Sequence, residues 1–353
     1  MMRSSFVIAA TLLGAATFAQ PAAAQDFTTA TFGGTNIWIG GGVQFLTLPD
    51  IKFTGKGGVA NLRRQTNSSG DWLDFGGAGA GGFETALGFW GGYRVTGGVN
   101  GFWANGDDDD RSSCSGSAAY CVVIDPTGAF TATGPSLVTR TDREYDYWGG
   151  KAELKFAGGQ PTNVKPNVYR NDYFIVGFDV RGIDQDNRLH GKSGTVNVFR
   201  YDETLDTTYV GGYVGIGGEY SFGFIPGLKS VGGFYDRLGI RTYASLRAGL
   251  YSAETDYAGR FSSSLGGPFN SRLSQSNNEL AFIGSLSLEA RKQLGQRTSL
   301  SLWTDYEYIS SVPEMRYATG SRPTRISEDS LFASRTMLRL NIGLGSQQLY
   351  PPQ

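Results

Sequence analysis

Residues 238–251 read LGIRTYASLRAGLY, and they alternate without a break. Leu238, Ile240, Thr242, Ala244, Leu246, Ala248 and Leu250 share one face, while Arg241, Tyr243, Ser245, Arg247 and Tyr251 share the other. Successive side chains point to opposite sides of an extended chain, so a period of two sustained this long specifies a strand with one apolar face. The run exceeds the roughly 5–6 residues of an ordinary globular strand and suits the roughly 9–11 of a strand crossing a membrane at a tilt.

Working outward, the same period recurs in Leu280–Arg291, Thr298–Tyr308 and Thr336–Leu344. It recurs with more glycine in Asn36–Leu48, Phe83–Val95, Gly97–Asn105, Tyr145–Phe156, Asp172–Ile183 and Thr207–Phe222. These segments predict an all-β chain of about ten strands, with eight or twelve also compatible with a barrel. Predicted links alternate in length. Thr96-Gly97 and Leu294-Gly295-Gln296 are tight, and Ala157–Arg170 and Gly223–Arg237 are moderate. Pro49–Gly82, Gly106–Glu144, Asp184–Asp206, Ser252–Asn278 and Ser310–Leu331 read as long polar loops.

Composition agrees. Of 353 residues, 52 are glycine, and 22 Phe, 18 Tyr and 6 Trp accompany them, while charged residues make up only 18 %. Lys and Arg (31) balance Asp and Glu (32), so no basic face for nucleic acid is signalled. After the N-terminus no apolar run approaches the ~18 residues of a membrane helix. At the N-terminus, Arg3, the apolar core Phe6–Ala19 and Ala22-Ala23-Ala24 predict a secretory signal over residues 1–24, with the barrel region spanning 25–353. In the oxidising compartment that export implies, Cys114 and Cys121 are expected to form a small disulfide loop.

Short turns at one end, long loops at the other and an even strand count resemble the bacterial outer-membrane β-barrel class. Aromatic residues near strand ends (Trp38, Phe45, Phe83, Tyr93, Tyr147, Phe156, Phe222, Tyr251, Tyr306 and Tyr308) suit its interfacial girdles. The resemblance is architectural and carries no family-specific motif. It implies a transmembrane antiparallel up-and-down barrel in the outer membrane. Its partners would be membrane lipid and lipopolysaccharide, together with an extracellular partner met by the loops. A soluble β-sandwich or barrel is the alternative.

Turned inward, the polar faces carry Arg94, Lys151, Lys155, Arg181, Arg241, Arg247, Arg291, Arg335 and Arg339 against Glu84, Glu153, Asp179, Glu219, Glu289, Asp305 and Glu307. Nine cations and seven acids in a narrow interior must pair. They read either as a salt-bridge core or as the lining of a narrow conduit for small polar solutes. Inward glycines at 40, 42, 88, 92, 149, 211, 215 and 217 would make room for a path or receive bulky neighbours.

Catalytic signals are weak. His190, the one histidine, follows Asp184-Gln185-Asp186-Asn187-Arg188-Leu189, which does not match the pattern of the omptin proteases. The run Asp107–Asp110 reads as a solvated loop tip rather than a cation site. No cofactor or metal is expected. The leading expectation is a non-enzymatic barrel anchoring surface loops, ahead of a narrow channel, with an outer-membrane hydrolase using His190 third.

Overall fold

The computed structural model describes residues 34–49, 74–113, 120–125, 127, 131–135, 137–158, 162–165, 168–220, 240–264, 268–295, 297–316 and 325–344. The expected signal segment, Cys114 and most of the Pro49–Gly82 link lie outside them.

Among the described residues every regular element is a strand. In chain order they are β1 (Thr35–Leu46), β2 (Asp74–Trp90), β3 (Tyr93–Ser113), β4 (Tyr120–Ile124), β5 (Thr131–Pro135), β6 (Leu137–Gly158) and β7 (Thr162–Lys165). They continue as β8 (Val168–Ser193), β9 (Val196–Tyr220), β10 (Ile240–Ser263), β11 (Phe269–Gln293), β12 (Thr298–Arg316) and β13 (Arg325–Leu344). Ten of them form an antiparallel ring in the order β6-β3-β2-β1-β13-β12-β11-β10-β9-β8, shut by pairing of β6 with β8. The short β7 extends the end of β8, and β4 pairs only with β5. A closed ring leaves no edge, so each wall strand finds its backbone partners within the sheet, as lipid requires.

The outer face carries an apolar belt. Leu246, Leu250, Leu280 and Leu338 are 55 %, 59 %, 70 % and 54 % exposed, a pattern no water-soluble surface tolerates over such an area. Aromatic residues rim the belt. Trp90 packs with Phe156, Phe45 with Phe75, and Tyr306 with Phe332, while Trp103 and Trp148 stand opposite each other across β3 and β6. Three of the aromatics expected in these girdles face inward instead: Trp38, Tyr147 and Tyr251. Phe222 lies outside the described residues.

Past the belt the alternation reverses. On β10, Ile240 to Leu250 places apolar side chains outward at even positions; from Tyr251 onward, Ala253, Tyr257 and Phe261 place them inward and buried. Outward positions there become Glu254, Asp256 and Arg260. The barrel therefore continues beyond the membrane as a water-facing barrel with an apolar interior. For this reason Asp184–Asp206 and Ser252–Asn278, expected as loops, are largely ladder. β8 and β9 stay paired from Asp184↔Asp206 to Ser193↔Val196, and β10 and β11 from Ser252↔Leu280 to Ser263↔Phe269. Asp107–Asp110 likewise lies within β3, paired with Glu144–Thr141 of β6, and is no loop tip.

The first tight turn falls at Gly91-Gly92, not at Thr96-Gly97, which sits inside β3. Both turn glycines adopt positive φ (58° and 85°), which a two-residue hairpin matching the sheet twist demands. Gly88, next to a bulge in β2, and Gly92 accordingly make no lumen space. Elsewhere glycines do receive bulky neighbours. A methyl group at Gly177 or Gly149 would overlap the rings of Tyr213 or Phe102.

The belt assignment has a direct test. Leu246→Arg places a charge on the lipid face and should cost about 2–4 kcal/mol of membrane stability, while Ser245→Arg, on the lumen face, should cost less. Urea-dependent unfolding in lipid vesicles, read by gel mobility, ranks the two.

Candidate functional site

Inward-pointing side chains at mid-barrel form a buried ion-pair layer. Arg181 pairs with Asp179 on its own strand and with Glu307 of β12 at 3.0 Å. Arg335 of β13 pairs with Asp305 at 2.9 Å and Glu307 at 2.7 Å. The Tyr147 hydroxyl donates to Glu307 (2.9 Å), Tyr251 to Asp179 (3.2 Å) and Ser287 to Asp305 (2.5 Å). Arg335 also lies over the Phe102 ring, 3.5 Å from its centroid. Charges this far from water persist only with such partners.

A second layer lies toward the end that holds the strand termini. Lys155 contacts Glu84 (2.6 Å) and Glu153 (3.4 Å), and Arg247 contacts Glu153 (3.2 Å). Arg241 pairs with Glu219 (2.6 Å) and Arg291 with Glu289 (2.8 Å). Arg94 donates to Asn171 at 3.0 Å. The seven expected lumen acids thus each hold a cation, and six of the nine expected cations serve them, while Arg94 is held by Asn171. Arg339 is held between the rings of Trp38 and Trp303, 4.0 and 3.6 Å from their centroids, and Lys151 makes no ion pair within 4.0 Å among the described residues. Sequence reasoning missed Arg143, buried and donating to Gln185 (2.8 Å) and the Pro49 carbonyl (3.1 Å), and missed the tyrosines that bridge the acids. Their signal was parity: Tyr147 and Tyr213 share the faces of Lys151 and Gly215 on their strands.

The lumen is unequal along its length. At the terminal end a cavity of about 250 Å³ reaches from Gly34, Arg297 and Leu344 at the rim up to Lys151, Trp303 and Arg339. At the ion-pair layer the free space falls to about 20 Å³. Beyond it Leu46, Ile183, Tyr209, Ile283, Ile309, Val312 and Leu331 form one apolar cluster, and Leu189, Phe199, Tyr201, Leu205, Tyr257, Phe261 and Met315 form another. Among the described residues no group of three His, Cys, Asp or Glu is placed to hold a metal.

His190 lies in the projecting part of β8, opposite Arg140 on β6 and Arg200 on β9. Its cross-strand neighbours are thus cations, not the carboxylate that would orient a catalytic imidazole. Cys121 sits in β4 opposite Gly134, and its expected partner Cys114 lies outside the described residues. On the outer surface just past Trp148, Asp146, Asp184, Asp206 and Asp256 stand directly opposite one another on four adjacent strands. Partial burial, then the charges of Asp184, Asp186 and Asp256, push the Asp206 carboxyl up to about 6. Asp184 is also raised, mainly by burial, against the lowering effect of its hydrogen bond from the Trp148 indole.

A closed antiparallel ring with an apolar belt outside and paired charges inside defines a bacterial outer-membrane β-barrel, and the membrane in which such a barrel resides is the outer one. No family model matches the chain, and no curated protein does. Among solved structures it is similar to the outer membrane protease OmpT from Escherichia coli, with 9 % identity, a TM-score of 0.44, and 89 % of this chain and 98 % of that one covered. It is also similar to a FadL homologue of Pseudomonas aeruginosa (11 % identity, TM-score 0.25, 89 % and 91 % covered). A third is the Pseudomonas putida toluene transporter TodX (8 % identity, TM-score 0.27, 88 % and 89 % covered).

Removing the acid shared by two arginines tests the ion-pair layer. Glu307→Gln leaves Arg181 and Arg335 with one carboxylate each and should destabilise the barrel by about 3 kcal/mol, the lower range for breaking a buried pair. The temperature at which the folded gel form is lost reports it.

The aspartate row sets a pH dependence. Asp206 holds its proton more tightly folded (about 6) than unfolded (about 3.9), so stability falls as pH rises from about 4 through 6. Asp206→Asn should melt higher than the parent at pH 7.5 and show a flatter pH profile between pH 4 and 7.5. An unchanged profile would refute the row as its source.

Proposed function

We propose that this outer-membrane barrel is a non-enzymatic anchor for surface loops, with a lumen closed to solutes. The observation that carries the reading is the pair of apolar clusters that fill the interior on the loop side of the ion-pair layer. An aqueous path for polar solutes needs continuous polar walls and free space. Here a polar cavity at one end gives way to a layer of interlocked charges and then to packed Tyr, Ile, Leu and Phe side chains. Ten strands also fall short of the ~16–18 that leave an open porin channel.

The connections gathered at the far end from the chain termini include the link between β1 and β2, the β4–β5 hairpin between β3 and β6, and the link between β12 and β13. In this class the longer connections face outward and the short turns face the periplasm. A rigid barrel that presents loops outside the cell suits recognition, because loops on a rigid scaffold are where binding residues concentrate. The cationic neighbours of His190 argue against the hydrolase reading.

Purified protein reconstituted in planar bilayers should show no stepwise current in symmetric KCl of roughly 1 M, because its lumen lacks the continuous polar lining that conduction needs. Reproducible unitary openings would overturn the closed-lumen reading.

A further inference from the structure

We propose that the cavity at the terminal end of the lumen is a binding site for a small oxyanion, a carboxylate or phosphate group carried by a soluble molecule that enters from the periplasmic side. Seven cationic side chains line the cavity against four carboxylates, Glu84, Glu153, Glu219 and Glu289. Each of the four already has its own cation: Lys155, Arg247, Arg241 and Arg291 respectively. Three cations have no carboxylate within 4.0 Å among the described residues, Arg297 at the rim and Lys151 and Arg339 at the inner end, where Asp179, Asp305 and Glu307 are already held by Arg181 and Arg335.

Arg339 carries the inference furthest. Its side chain is only 9 % exposed, and among the described residues its buried Nε has no hydrogen-bond partner and its guanidinium no carboxylate within 4.0 Å. A buried charge without a close ion pair is costly, and a protein that needed only a filled interior would be better served by an apolar side chain there. The residue is instead built in. Trp38 and Trp303 hold the guanidinium plane from two sides, and Gly40 opposite leaves room for its stem, since a Cβ there would lie 2.8 Å from the Arg339 Cγ. A guanidinium fixed in its plane offers its N–H fork in one orientation, which matches the paired oxygens of a carboxylate or phosphate. Lys151 lines the same inner end and supplies a second cationic donor. Ser287, Ser299 and Asn341 add neutral polar groups around the wall. The cavity, at about 250 Å³, takes a metabolite-sized molecule and has no through-passage beyond the ion-pair layer.

The test uses the full barrel in detergent, with citrate and inorganic pyrophosphate as probes and tryptophan fluorescence and calorimetry as readouts. Expected is saturable binding of at least one probe, with an emission change because two tryptophans flank the cation. Lys151→Met and Arg339→Gln should each weaken binding at least tenfold while keeping the folded, heat-modifiable gel form. If Arg339→Gln fails to fold, Lys151→Met alone decides. Absence of saturable binding, equal binding in Lys151→Met, or equal competition by chloride at the same ionic strength would overturn the site. Because the assay needs no membrane current, its failure is separable from failure of the closed-lumen reading.

Discussion

In hydrocarbon no water is at hand to satisfy a backbone N–H or C=O, and the rest of this structure depends on that constraint. It forces β6 onto β8 and β1 onto β13, so that the sheet has no edge. Once the ring is closed, the period of two fixes every side chain as lipid-facing or lumen-facing. The Leu-rich face of β10 and β11 then has to be outside, and the arginines of the opposite face inside. Everything that follows in the interior is a response to charges confined with little water.

That response divides the lumen into regions. Where inward residues are charged, they interlock through Glu307, Asp305 and Asp179 with tyrosine hydroxyls as bridges. Where the wall rises past the membrane, the solvent outside changes from lipid to water, and the interior changes from charged to apolar. Tyr251 marks the switch on β10: its ring packs in the apolar cluster while its hydroxyl donates to Asp179 below. One side chain thus joins the two interiors.

The membrane-embedded half was legible because its apolar residues keep one parity over a full crossing, as in Leu280–Ala290. The sixteen charged residues assigned to the lumen follow from that parity alone, and the structure places them inside the ring. The projecting half was not legible as strand. Its outward positions, such as Asp184, Asp186, Glu254 and Asp256, have loop-like composition, and its apolar residues sit at the opposite parity. A reading that follows one face loses the strand where the faces exchange character. Partnering was also out of reach, since the clamp on Arg339 joins Trp38 and Trp303 from strands far apart in sequence. The turn at Gly91-Gly92 was displaced because a bulge between Ala86 and Gly88 shifts the register that alternation alone assumes.

The pairing of β1 with β13 also orders events in time. This seam ties Thr47 to Phe332 across 285 residues, so the first strand made waits for the last. Neighbouring hairpins such as β10–β11 close short loops and form early, whereas the seam demands the largest loop closure in the chain. Until it shuts, β1 and β13 present unpaired backbone, and the arginines of β13 face an unfinished interior. Assembly factors that hold an open sheet edge would act on this pair of strands, and a lesion in β1, such as a proline at Gly41, would be felt at the final step of maturation rather than at the first.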